Sequence, residues 1–259
     1  MSATDNTPAH DPWDLMRRTT QARIGLRRSG YTLSTHDVLT FQADHAAARD
    51  AVHTPMDIDT VGKGLRELGF GEPLAVTSQA SSRAEYLRRP DLGRMPADLS
   101  SIQSSGADIG IVIADGLSAT AVDTHAVALV DALTSALTPQ FTVAPPVLAS
   151  QARVALGDHI GEALGVEMLI VIIGERPGLS VADSLGIYLT YAPEPGRRDS
   201  ERNCISNIHP PDGLGYDDAA RIVAALVAGA RQLGASGVAL KDTSAGEAAV
   251  AAAEQSGLT

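Results

Sequence analysis

Asp108-Ile109-Gly110-Ile111-Val112-Ile113-Ala114-Asp115-Gly116 is the stretch that decides the fold. Apolar or small at every position from Ile109 to Ala114 and closed by Asp-Gly, it has the pattern of a strand buried on both faces. Glu167 to Ile173, EMLIVII, repeats the pattern more strongly and ends at Gly174. Between the two runs, Val122, Val127, Leu129, Val130, Leu133 and Leu137 mark a helix. Leu185 to Tyr191 reads as another strand, Asp217 to Leu233 as a long helix, and Val238 to Leu240 as a last short strand. Strands alternating with helices imply an α/β fold, its mostly parallel sheet covered on both faces.

Upstream the character differs. Ser34-Thr35-His36-Asp37 reads as a helix cap with an early acid, opening a helix that Pro55 stops after His53. A second helix starts after Asp57 and runs through Val61, Leu65 and Leu68 to Gly69. From Leu74 to Ser105 the pattern is a short strand, an Arg-rich turn around Pro90 and a Ser-rich stretch. The organisation expected is a disordered lead over 1–12, a smaller, mainly helical region over 13–105, an α/β domain over 106–241 and a tail over 242–259. The boundary falls near Ser100 to Gly106.

Composition narrows the function. Thirty-one acids against 20 bases leave a formal net charge of −11, which disfavours nucleic acid and anionic membranes as partners. No run approaches the roughly 18 apolar residues of a membrane span, and the first residues are not a signal peptide. Cys204 is the single cysteine, so no internal disulfide forms and the cytoplasm is the expected location. Eighteen of the 20 bases are Arg, 11 of them within the first 94 residues. Two readings of that bias stand: an Arg-rich protein interface, and the codon usage of a GC-rich genome.

Ligands of open α/β sheets bind beyond the carboxyl ends of the strands. Three segments are expected there: Ala114 to Ser118, Gly174 to Leu179, and a turn near Asn203 to Asn207. They are read as mixing glycines with polar groups, which serves either a ligand or a tight turn. Walker, G-x-G-x-x-G and G-x-S-x-G signatures are absent, since Gly116-Leu117-Ser118 continues Ala119-Thr120. The seven His show no zinc spacing, and His45 and His53 lie about two helical turns apart. Cys204 as a nucleophile requires a base or cation beside it; a packed or backbone-contacting thiol is the commoner role.

Several segments together resemble the ethanolamine ammonia-lyase small-subunit family. They are Thr20 to Gly30, Asp44 to His53, Arg89 to Arg94, Ala114 to Ala119, Arg153 to Asp158 (RVALGD), Gly174 to Leu179 (GERPGL) and Arg202 to Ile208 (RNCISNI). The resemblance spans about 13–241. It implies an adenosylcobalamin-dependent radical lyase that converts ethanolamine to acetaldehyde and ammonia. It further implies a Rossmann-like C-terminal domain, with cobalamin held base-on against a large catalytic subunit in a hetero-oligomer. Substrate would bind the large subunit, so no catalytic or metal-ligating residue is assigned to this chain, which would be inactive alone. The cofactor contacts implied are Val154 in RVALGD, Glu175 in GERPGL and Cys204 in RNCISN. A bacterial microcompartment is the implied setting for ethanolamine degradation.

The residues are chemically suited to that role. Corrin is a broad apolar ring fringed with amides, so its site should offer aliphatic surface, backbone groups and a few acceptors. Val154 can supply apolar contact, Glu175 can accept a hydrogen bond, and Cys204 is a weak donor at best. Asp123-Thr124-His125 resembles the D-x-H-x-x-G motif of cobalamin proteins that supply their own His. It has Ala128 in place of the Gly and falls inside the expected helix, in agreement with base-on binding. The competing reading is a self-sufficient hydrolase or nucleotide-dependent transferase, which the missing elbow and phosphate loop oppose. A purely structural shell protein would leave the polar glycine loops unexplained.

Overall fold

The computed structural model describes residues 13–26 and 28–242. The lead over 1–12, Arg27 and the tail beyond Asp242 lie outside the described residues. The chain begins with α1 (Trp13–Arg17), an antiparallel hairpin of β1 (Arg28–Ser29) and β2 (Thr32–Leu33), α2 (Thr35–His53) and α3 (Ile58–Glu67). β3 (Leu74–Thr77), α4 (Arg83–Arg88), β4 (Ile109–Ala114), α5 (Ala119–Leu137), β5 (Val147–Ser150) and α6 (Leu156–Leu164) follow. β6 (Met168–Gly174), β7 (Leu185–Tyr191), β8 (Arg202–Ile208) and α7 (Tyr216–Leu233) complete it.

The two runs read as buried strands are neighbours at the centre of a six-stranded sheet of order β3-β5-β4-β6-β7-β8. β4 and β6 pair in parallel from Ile109↔Met168 to Ala114↔Ile173, and every residue of both is buried. Pairing is parallel from β3 to β6 and antiparallel on either side of β7, so only β7 runs against the others. Alternate residues feed two cores. Ile109, Ile111, Ile113, Ile170 and Ile172 meet the helices α3, α5 and α7, while Val112, Ala114, Leu169 and Val171 meet α6. This is an α/β architecture with a mixed, mostly parallel sheet covered on both faces.

Local chemistry sets the helix starts. Ser34 caps α2 by accepting from the Asp37 N–H, at 3.1 Å, and Pro55 follows the Thr54 cap at its end. Asp57 caps α3 through the Thr60 N–H, at 3.0 Å, and Ser118 caps α5 through that of Ala121, at 3.2 Å.

Three expectations are corrected. β3 lies before the expected boundary near Ser100 to Gly106, yet pairs with β5 from Leu74↔Val147 to Thr77↔Ser150 as the edge strand of the same sheet. The turn expected at Asn203 to Asn207 is β8, which is mostly polar because it is the other edge and much of it faces solvent. No strand forms at Val238 to Leu240; Gly237–Ala239 is a short 3-10 turn. The Asn203 side chain accepts from the Gly237 N–H, at 2.7 Å, and donates to its carbonyl, at 3.2 Å. A side-chain amide therefore takes the bonds that a further strand would have used.

β5, α4 and α6 were not anticipated. β5 has four residues just after Pro145-Pro146, too short to show a period. α6 contains Gly157 and Gly161, which lower helix propensity. A Cβ at Gly157 would come within 2.6 Å of Val171, and one at Gly161 within 2.6 Å of Pro193. Close packing on the sheet requires the residues that hide the helix from its sequence.

Candidate functional site

β4, β6 and β8 end on one edge of the sheet, where β7 begins, and two glycines bring that edge together. Gly116 has φ +53°, and a Cβ there would run into the carbonyl of Gly174. A Cβ at Gly174 would run into the carbonyls of Asp115 and Ser118. The Leu117 N–H donates to Gly174 O at 2.9 Å, closing the contact. Ser118, fully buried, also donates to Ala182 O at 2.8 Å and so holds the segment that crosses from β6 to β7.

Beside this contact opens a crevice of about 390 Å³. Tyr86, Leu117, Arg153, Val154, Glu175 and Tyr188 are among the residues that form its wall. Tyr86 is fully buried between two guanidinium groups, Arg83 at 4.8 Å and Arg153 at 4.4 Å from its ring centroid. Val154 stands half-buried in the turn that enters α6.

Glu175 ties three strand ends together. Its N–H donates to Ser184 O at 3.0 Å, and its Oε2 accepts from the Ser184 hydroxyl at 2.8 Å and the Asn207 N–H at 3.2 Å. Oε1 lies over Gly186, where a Cβ would approach it to 3.0 Å. One carboxylate oxygen is thus committed to the fold while the other lies on the side of the missing side chain.

Cys204 sits exposed on β8, directly opposite Tyr188 of β7. Partial burial of the sulfur pushes its thiol pKa up; Tyr188 works against this and the Glu175 charge adds to it. Burial likewise pushes Tyr188 up to about 12. A protonated thiol is not a nucleophile's environment. The structure therefore brings Val154 and Glu175 to one crevice and attaches Cys204 to it through Tyr188.

Sequence reasoning missed Tyr86, Arg153 and Tyr188 as parts of this wall. Arg153 lay in a quoted motif but carried no separate signal, and Tyr188 was one position of a strand. Tyr86 fell in a stretch with no recognisable period. Also missed was the buried pair of Asp158 in α6 and Arg202 in β8, at 2.6 Å. It links RVALGD to RNCISN.

Asp123 and His125 have work inside the fold. Asp123 accepts from the Asp57 N–H at 3.0 Å, and His125 bonds Oη of Tyr216, the first residue of α7, through Nδ1 at 2.7 Å. Burial lowers the His125 pKa, against the pull of Asp183. His45 stacks on Phe41 on the open side of α2, with ring centroids 6.2 Å apart. A larger hollow of about 960 Å³ runs between α5 and α7, with alanines as half of its lining residues. Among the described residues no three His, Cys, Asp or Glu gather as a metal site, and no helix is long and apolar enough to cross a membrane.

Fold and crevice together define an α/β protein with a small, partly apolar crevice at its strand ends. The pattern of the ethanolamine ammonia-lyase light chain family (EutC) matches residues 10–241. The chain is 59% identical over 244 residues to an ethanolamine ammonia-lyase small subunit of Rhodococcus erythropolis, covering 94% of this chain and 95% of that one. It is 51% identical to the small subunit of Bradyrhizobium diazoefficiens, covering 90% and 91%, and 50% to that of Rhodopseudomonas palustris, covering 93% and 94%. This chain belongs to the ethanolamine ammonia-lyase light chain family.

Proposed function

We propose that the chain is the small subunit of an adenosylcobalamin-dependent ethanolamine ammonia-lyase, converting ethanolamine to acetaldehyde and ammonia, and that its crevice seats one edge of the cobalamin against a large catalytic partner. The observation that carries this reading is the convergence of Val154, Glu175 and the Tyr188–Cys204 pair at the carboxyl edge of the sheet.

The residues fit the group. Val154, Leu117, Ile173 and Tyr188 offer apolar surface, and Glu175 and Arg153 offer an acceptor and donors for peripheral amides. A crevice of about 390 Å³ is near the lower end of the ~300–1,000 Å³ that encloses a drug-sized ligand. Corrin with its nucleotide tail exceeds such a ligand, so this chain can cover only part of it and the rest falls to a partner. Bound adenosylcobalamin supplies the radical chemistry; this chain's residues orient it and shield one edge from water. Engagement of His125 with Tyr216 agrees with base-on binding.

The N-terminal region favours a large partner too. Trp13, Leu15, Met16, Tyr31, Leu39 and Phe41 are all exposed, and only Ala51 of the 19 residues of α2 is buried. Soluble chains seldom leave so many large apolar residues together in water unless another surface covers them.

Cobalamin titration of the assembled complex tests the crevice. Hydrogen bonds to a charged group are worth about 1.5–3 kcal/mol against about 1 for neutral ones, so Glu175→Gln should bind roughly 2- to 30-fold more weakly. Glu175→Ala should lose more. Wild-type affinity in the Ala variant would show that the carboxylate only braces the strand ends.

A further inference from the structure

We infer that Asp115 is a positioning residue that holds the Val154 wall of the crevice in its binding geometry. The inference rests on the reading of this crevice as the cobalamin edge and assigns a role to a residue that does not touch the ligand.

Asp115 is the first residue beyond β4 and is 3% exposed. Its Oδ1 accepts from the Ala152 N–H at 2.9 Å, and its Oδ2 accepts from the Gln151 N–H at 2.8 Å and Arg83 Nη1 at 3.1 Å. Gln151 has φ +53°, a left-handed backbone that residues other than glycine adopt only when their surroundings impose it. The carboxylate imposes it here. The next carbonyl, Ala152 O, accepts from Tyr86 Oη at 3.0 Å, and the next N–H, of Arg153, donates to Gly93 O at 2.8 Å.

Three successive residues before Val154 are thus held by groups from β4, α4 and the turn around Gly93. Arg83, the ionic partner of Asp115, packs on Tyr86 and donates through Nε to Val52 O at 2.7 Å, so the clamp is itself braced. Burial pushes the Asp115 pKa up, while Arg83 and the two N–H groups pull it down. The carboxylate has no ligand to reach; its two oxygens are spent on the loop and its brace. A loop held this way has less ordering left to lose when a ligand arrives, which is how a residue outside the site raises affinity.

Asp115→Asn replaces one acceptor by a donor that faces an N–H, and Tyr86→Phe removes only the hydroxyl bond to Ala152 O. Each variant is assembled with the large subunit and titrated with adenosylcobalamin. Thermal unfolding with and without cofactor and steady-state rates against cofactor concentration complete the measurement. For Asp115→Asn, affinity should fall by about tenfold, the scale of one lost bond to a charged group. For Tyr86→Phe it should fall a few-fold. In both, the loss should fall on the cofactor's KM more than on kcat, with a smaller cofactor-induced rise in Tm. A lowered Tm with cobalamin affinity within twofold of wild type in both variants would overturn the inference and leave Asp115 a purely structural residue. If Asp115→Asn does not assemble, Tyr86→Phe decides by the same criterion. Should Glu175→Ala lose cobalamin while these variants keep it, the positioning role fails alone; should all three keep it, the crevice reading fails first.

Discussion

Replacing Asp158 by Ala should destabilise this protein more than almost any other polar substitution in it. Asp158, in the first turn of α6, and Arg202, opening β8, have side chains only 1% exposed and meet through two parallel bonds, each 2.6 Å. Arg202 also donates to Thr190 Oγ1 at 2.9 Å and to Arg197 O at 3.0 Å. Removing the carboxylate leaves the buried guanidinium only the solvent-exposed Asp199, 3.8 Å from Nε, as counter-charge, and breaking a buried pair typically costs about 3–5 kcal/mol. Against a total stability of ~5–15 kcal/mol that is a large fraction. At ~2–4 °C of Tm per kcal/mol for a chain of this size, the loss corresponds to about 6–20 °C. Circular dichroism of the chain during heating measures it. The reasoning also requires that Asp158→Leu with Arg202→Met, which removes both charges and keeps apolar volume, recovers most of the loss. A single variant that loses less than about 1 kcal/mol, or a double variant no better than the single, would refute it.

Three further outcomes are expected. The chain without its large partner should show no turnover of ethanolamine with adenosylcobalamin, and measurable turnover by it would sink the division of labour proposed above. The hydroxyl and N–H of Thr142, aided by Arg231, hold the Asp108 carboxyl at about 2 instead of 3.8. A depressed carboxylate pKa contributes stability above pH 3.8 that is lost as pH falls from there toward 2, so Asp108→Asn should flatten the unfolding profile across that window. Arg23 pairs with Asp44 and lies 5.5 Å over the Phe41 ring, whereas Arg94 is exposed. If the Arg-rich N-terminal region meets the large subunit, Arg23→Ala with Arg94→Ala should weaken co-purification, by about 2–5 kcal/mol for a buried pair and little for a rim contact. Unchanged co-purification counts against that interface.

The Asp108 to Gly116 and Glu167 to Gly174 runs were legible because a strand buried on both faces must be apolar at every position, and such a run has few other uses. The starts of α2 and α3 were legible for a similar local reason: a cap is a bond between near neighbours, visible in Ser34 and Asp57. Glu175 could be placed because it follows the strongest strand, and parallel topology puts the ends of such strands at the ligand edge. Val154 and Cys204 came from motif resemblance; nothing in its local pattern marked Val154, whereas Cys204 also fell in a segment expected at the ligand edge.

What stayed hidden depends on partners distant in the chain. β8 reads as a polar turn because an edge strand needs apolar residues on one face only, and α6 reads as broken because its glycines serve the sheet it packs on. Tyr86 reaches Ala152 across 66 positions, Asp115 reaches Gln151 and Ala152, and Arg202 finds Asp158. The sequence by itself determined the α/β class, the central strands and the family, since these follow from periodicity, short-range capping and motif order. Only the tertiary structure decided which polar side chains brace the crevice and which line it, because a hydrogen bond or buried ion pair between remote segments leaves no periodic trace in either of them.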